Sequence, residues 1–308
     1  MLRQLSNLDA AQSVFFLREL EQVKTATYDV LYPILKARGL VPADPQQPPT
    51  GAEIITFRTF DRVGMAKVLA SYAQDLPRVD IFGTEQTSLI RGLGAAFGYS
   101  LQDVRAAAMM NKPLASDKAS AARETIEEKI DDIIANGDST YNLPGFLNNA
   151  SVPQASVATV SGATTWADKL ALDPDLVVDD VTDAIADMVE LTKGREQPDT
   201  CLMPIGQYRR LSSTRLIDRD FTVLEYLQKA NPDITFDSWY RLTGAGVGAT
   251  DRMVIFRKDP KKLAWQVPQE FEMLAVQEKG LEFEVPCHAR VGGTIIFYPL
   301  SVSYRDGI

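Results

Sequence analysis

From Leu114 to Asn136 no proline or glycine interrupts the chain, and Ala115, Ala119, Ala122, Ile126, Ile130 and Ile133 recur at steps of three or four. That spacing places them on one stripe of an α-helix. Pro113 suits a first helical turn, where a missing N–H costs nothing, and Gly137 suits the C′ position, where the backbone turns left-handed. At about 1.5 Å per residue the helix spans roughly 34 Å. Glu124, Glu127, Glu128, Asp131 and Asp132 lie mainly on its other faces. A helix of that length is a spine for a domain.

What flanks the spine is less regular. Ser100 with Asp103 has capping-box spacing and opens a helix to about Met110. Residues 53–60, EIITFRTF, are β-branched and aromatic and predict a strand, and residues 86–99 make a return strand with glycine bends. About 25 residues separate the two, against the roughly 2 to 5 that close an ordinary hairpin. Either a hairpin lobe projects there or the strands are displaced. Near the start, Ser6 and Asp9 cap a helix in which Phe16, Leu20, Val23 and Leu31 recur close to helical intervals. Pro33, Pro42, Pro45, Pro48 and Pro49 then favour an extended run. This opening segment reads equally as an arm or as a terminal helix with a stiff linker behind it.

After the spine, residues 149–165 are small and hydroxylic, a loop or edge strand suited to a boundary between lobes. A helix follows Pro174 with Val178, Val181, Ile185, Met188 and Leu191 on one face, and Gly194 ends it. TCLMPIGQY predicts a short buried strand running into a helix near Tyr208, and FTVLEYLQKAN a helix. MVIFRK, LAWQV, LEFEVPCHAR and TIIFYPLSVSY predict strands, so the fold class is α+β with an antiparallel-rich second half.

The chain of 308 residues suits one large domain or two intertwined lobes, and 45% hydrophobic with 24% charged residues supplies a sizeable core. No signal-peptide h-region and no transmembrane-length apolar run occurs, which predicts a soluble, cytoplasmically made protein. A net charge of −9 argues against a sequence-reading nucleic-acid binder, though an acidic wall can confine DNA without gripping it. Cys201 and Cys287 lack metal-ligand spacing and read as core residues. The single histidine, His288, must serve any triad, yet strand alternation turns Cys287 away from it. The glycines at 92, 94 and 98 and at 244, 246 and 248 miss the nucleotide-binding spacing or context, and Gly292 and Gly293 read as a turn between the last strands. Asp179, Asp183 and Asp187 share a helical face that reads as solvated, and Asp131 and Asp132 point in different directions. No catalytic, cofactor-binding or metal residue is predicted.

The order of arm, long hairpin, spine helix, glycine-marked turn, helix-strand lobe and late strands resembles the Hong Kong 97-type fold of tailed-phage major capsid proteins. FFLRELEQVKTATYDVLYP, TFRTFDRVGMAKVLASYAQDLPRVD, GYSLQDVRAAAM, GDSTYNLPGFLN and GLEFEVPCHARVGGTIIFYPLSVSYRDGI carry the resemblance, which covers nearly the whole chain. It implies an N-terminal arm over 1–51 and an extended β-hairpin, the E-loop, over 52–86. It further implies a peripheral domain over 87–150, rejoined by about 256–290, and an axial domain over 151–255, rejoined by about 291–308. Gly137, Asp138, Gly145, Phe146, Leu147 and Asn148 would form the turn after the spine. Phe15, Phe16, Arg62, Met65, Lys67, Tyr72 and Arg78 would contact neighbouring copies.

The resemblance also implies function. Copies would assemble into hexamers and pentamers of an icosahedral head around double-stranded DNA, without covalent crosslinks, and no cofactor is implied. Portal and decoration proteins would be further partners, and DNA would be close but not specifically bound. No long scaffolding segment precedes the first helix, so a separate scaffolding protein is expected. The alternatives are an encapsulin-like nanocompartment shell and, more remotely, a soluble enzyme with a small-molecule pocket in the second lobe.

Overall fold

In the computed structural model, residues 33–66, 78–110, 114–217 and 219–308 are described. A short helix α1 (Ala37–Leu40) precedes strands β1 (Ile54–Val63), β2 (Asp80–Leu89) and β3 (Arg91–Ser100). Helices α2 (Leu101–Met110) and α3 (Leu114–Asn136) follow, then β4 (Gln154–Ser156), α4 (Trp166–Leu172) and α5 (Asp175–Leu191). Next come β5 (Thr200–Met203), α6 (Ile205–Ser213), α7 (Val223–Ala230), β6 (Thr235–Ser238), β7 (Arg252–Phe256) and β8 (Leu263–Gln266). The chain ends with β9 (Gln269–Met273), β10 (Gln277–Lys279), β11 (Glu282–Val291), β12 (Gly293–Ile296) and β13 (Val302–Asp306). It divides at Ile34, and Leu35–Ile308 form the compact unit that holds all these elements. The helix expected before Pro33 lies outside the described residues.

The spine α3 has the predicted bounds, and Ala122, Ile126, Ile130 and Ile133 are buried as the stripe requires. Asp131 corrects the expectation that the acids stay outside. It is buried, it accepts the Ala37 N–H at 2.8 Å, and its other oxygen takes Arg241 Nε at 2.9 Å. Arg241 Nη1 reaches Asp132 at 2.7 Å, so one guanidinium fork spans two adjacent positions that point apart.

A turn closes the spine. Gly137 has φ of +70°, and the chain then doubles back so that the Phe146 and Leu147 N–H groups donate to the Ile134 and Ala135 carbonyls at 3.0 and 2.8 Å. Those carbonyls are among the four that any helix leaves unpaired at its C-terminus. The return passes so close that a Cβ on Gly145 would sit 2.2 Å from the Asn136 carbonyl carbon.

A five-stranded sheet in the order β4-β13-β7-β5-β6 is the wall shared by two cores. Along β7, Val254 and Phe256 face the spine-side core, while Met253 and Ile255 face a second core with Trp166, Val181, Leu211 and Leu227 from α4 to α7. Burial on both faces explains why MVIF reads as an unbroken apolar run. On the spine side a second sheet runs β10-β11-β3, with β9 also paired to β11.

Three strand expectations change. The return strand of the hairpin is β2, and 91–100 forms β3, which pairs with β11 instead. Gly292 and Gly293 do not turn a hairpin; they shift the chain from the β3 sheet onto β8. TIIFYPLSVSY is two strands, since Pro299 opens a 3-10 turn between β12 and β13. The described elements β6, β9 and β10 carry no clear sequence signal, whereas the unexpected α4 is opened by Thr165, whose side chain accepts the Asp168 N–H at 3.3 Å.

Candidate inter-subunit surface

The β1–β2 ladder pairs ten residues with ten, from Ile54 opposite Leu89 to Val63 opposite Asp80. At roughly 3.4 Å per residue it is about 34 Å long. Its base is tied to the body. Ser88 Oγ donates to the Gly292 carbonyl at 3.3 Å, Ile90 N–H donates to the Glu53 carbonyl at 2.8 Å, and Phe57 meets Phe297 edge-to-face at 5.0 Å. Beyond Thr59 and its partner Thr84 every residue of both strands is exposed.

That outer part is not polar. Directly opposed residues share a face, so Phe60, Arg62 and Ile81 lie on one side of the ribbon, and Val63 and Phe82 on the other with Asp61 and Asp80. Phe60 is 70% exposed, Ile81 64% and Phe82 60%. Gly83, opposite Phe60, leaves room for the ring, since a Cβ there would lie 3.2 Å from it. An isolated two-stranded ribbon is marginal in water, and the Arg58–Glu85 pair at 2.6 Å is too exposed to add much. Covering large apolar side chains is worth about 1.5 to 3 kcal/mol each. The ribbon therefore has the chemistry of a surface made to be covered.

Of the residues expected at contacts, Arg62, Met65 and Arg78 are exposed at the outer end of this hairpin. Phe15, Phe16, Lys67 and Tyr72 lie outside the described residues. Phe60, which closes EIITFRTF, and Ile81 and Phe82 of VDIF are not among the expected contacts; large apolar residues beside charged ones, on a ribbon whose outer residues are all exposed, are the signal that marks them.

The body behind the ribbon is locked. Arg252 Nε and Nη2 hold Asp306 at 2.6 and 2.8 Å, Arg252 stacks on Tyr304 with 4.5 Å to the ring centre, and its Nη1 donates to the Leu147 carbonyl. Asp306 also accepts the Val247 N–H at 3.0 Å. Burial by itself raises the Asp306 carboxyl, but hydrogen bonds from Arg252 and Val247 outweigh it and hold the pKa below the ordinary aspartate value. In the second lobe Lys169 and Asp180 pair at 2.7 Å, with Trp166 Nε1 donating to the same carboxylate at 3.0 Å. A groove of about 440 Å³ runs between α5 and the β4–β13 edge; Met188 and Leu191 line it, and its Asp187 is paired with Arg305. Among the described residues no group of acids, cysteines or histidine could hold a metal ion, and no helix is long and apolar enough to cross a membrane.

Comparison with known proteins agrees with this architecture. The capsid of Myoviridae phage XM1 superimposes with a TM-score of 0.82 at 18% identity, covering 96% of this chain and 100% of that one. A structure from Mycobacterium phage Ogopogo gives 0.60 at 12% identity over 96% and 99%. A virus-like particle from Pyrococcus furiosus gives 0.51 at 12% over 89% and 92%. These likenesses establish a shared fold, the Hong Kong 97-type expected from the sequence. No curated protein sequence matches the chain. The profile of a family described as "Major capsid protein" matches residues 64–308, well over half the length. The chain belongs to the major capsid protein family.

Proposed function

We propose that this capsid subunit builds the head of a tailed phage by laying its β1–β2 ribbon on an adjacent copy, in hexamers and pentamers that enclose double-stranded DNA. The observation that carries this is the ribbon itself, which exposes Phe60, Ile81 and Phe82 on its two faces. Arg62, Met65 and Arg78 at its outer end belong to the same contact. Residues 1–51 act as an arm, 52–86 as the reaching hairpin, the spine and the β3–β11 sheet as the peripheral part, and the lobe from 151 to 255 as the axial part. Affinity arises from many modest contacts repeated over a closed lattice. A separate scaffolding protein, a portal and decoration proteins complete the partner set. A nanocompartment shell with protein cargo is less supported, since the better-superimposing structures named above are those of phages.

The test is to shorten the hairpin by joining Phe60 to Gly83 through a two-residue turn. The variant should remain folded by circular dichroism and form no shells in electron micrographs. Shells at wild-type yield from the shortened chain would overturn the proposal.

A further inference from the structure

The helical layer of the second lobe is charged unevenly. Between Asp168 and Glu190 the chain carries eight acids and one base, Lys169, whose charge is consumed internally by Asp180. Asp179, Asp183 and Asp187 line the outer face of α5, all exposed; only Asp187 has an ion-pair partner among the described residues, Arg305. Leu172 and Leu191 are exposed at the ends of the same helix pair. Along its own length α6 has the opposite charge, the nearby Asp251 carboxylate being taken by buried Gln207, whose Nε2 donates to it at 3.1 Å. From Pro204 to Ile217 there is no acid, and Arg209, Arg210 and Arg215 are exposed without an ion pair among the described residues, beside exposed Ile205 and Ile217.

The two patches lie on different helices over different strands. Helix α5 packs over β13 and α6 over β6, towards opposite edges of the five-stranded sheet, and α7 packs against both. The lobe thus has an acidic flank and a basic flank, each with exposed apolar side chains. Between copies, one flank complements the other in charge. A surface that pairs with a different surface of an identical copy makes a head-to-tail contact, and such contacts close into rings. Opposed charge fixes which flank meets which, because like-charge contacts are strongly unfavourable.

We infer that, around a capsomer, the α5 face of one copy docks on the Arg209–Arg215 patch of the next copy. The inference rests on the ring-forming reading of the chain given above. The partner is a second copy of this chain, and the contact weakens with salt.

Three full-length variants test it in an assay where the wild type forms shells: Asp179→Arg with Asp183→Arg, Arg209→Asp with Arg215→Asp, and all four together. Each reversed pair should lower particle yield by at least about tenfold, and the fourfold variant should recover to within about threefold of wild type. Mixing the two reversed chains in equal amounts should give six-membered rings, in which they can alternate, and no five-membered ones. Wild-type yield from either reversed chain, or a fourfold variant no better than the pairs, would overturn the inference. So would arginine reversals that leave shell yield intact and only lower DNA content, which would assign the patch to nucleic acid. Absence of shells from the wild type under every condition, its scaffold included, would instead refute the shell reading itself.

Discussion

Replacing Arg252 by alanine should be among the most damaging single changes outside the hydrophobic core. The side chain is buried, and its loss leaves the Asp306 carboxylate, also buried, without its counter-charge. It also frees the Leu147 carbonyl and removes the cation stacked on Tyr304. Breaking a buried pair from one side costs about 3 to 5 kcal/mol. For a chain of this size that lowers Tm by on the order of 10 °C. Removing both charges with Arg252→Met and Asp306→Leu should cost less than either single change. The residue of that cost is the orphaned Val247 N–H and Leu147 carbonyl, about 1 kcal/mol each. Acid should act on the same contact. Because the folded pKa of Asp306 is lowered, its stabilisation is present above the ordinary value of 3.8 and lost as pH falls through the lower folded value. Denaturant unfolding of the unassembled subunit, followed by circular dichroism from pH 7 to pH 2, measures both effects. An Arg252→Ala cost under about 1 kcal/mol, or a double variant worse than the singles, would refute the reasoning.

Gly145→Ala should prevent the post-spine turn from closing, because the new Cβ meets backbone rather than a movable side chain; insoluble expression, or a Tm loss exceeding that of an exposed alanine substitution, reports it. Phe60→Ser with Phe82→Ser should leave the Tm of the free subunit within a few degrees of wild type while abolishing stable shells, as seen by light scattering. Lys169→Ala strands the partly buried Asp180 and should cost about 3 kcal/mol in urea unfolding, whereas an exposed Lys258→Ala should cost far less. Burial pushes the Cys201 thiol up to about 12 and raises that of Cys287, so a thiol reagent should label neither in the native subunit and both after denaturation.

The elements legible in the sequence are those whose signal is local. The spine is set by its stripe and its end glycine, and α2 by reciprocal bonds between Ser100 and Asp103 at 3.1 Å. The run MVIF is apolar because both its faces are buried. Signals that depend on distant partners were harder to read. Local pattern puts the return strand at 86–99, whereas the structure divides that stretch between β2 and β3, because β3 finds β11 across the sequence. Asp131 looked like one more surface acid until Ala37 and Arg241 converged on it. The reaching segments were visible as an excess of chain between strands, but the apolar faces of the ribbon become meaningful only once no core stands behind them.

An electron-microscopy reconstruction of particles assembled from the full chain together with its scaffold would show where the ribbon lies. The expected result is closed shells in which β1 and β2 of every copy lie against a neighbour, with Phe60, Ile81 and Phe82 covered. Dispersed monomers under every condition, or shells in which the ribbon touches only its own subunit, would contradict it.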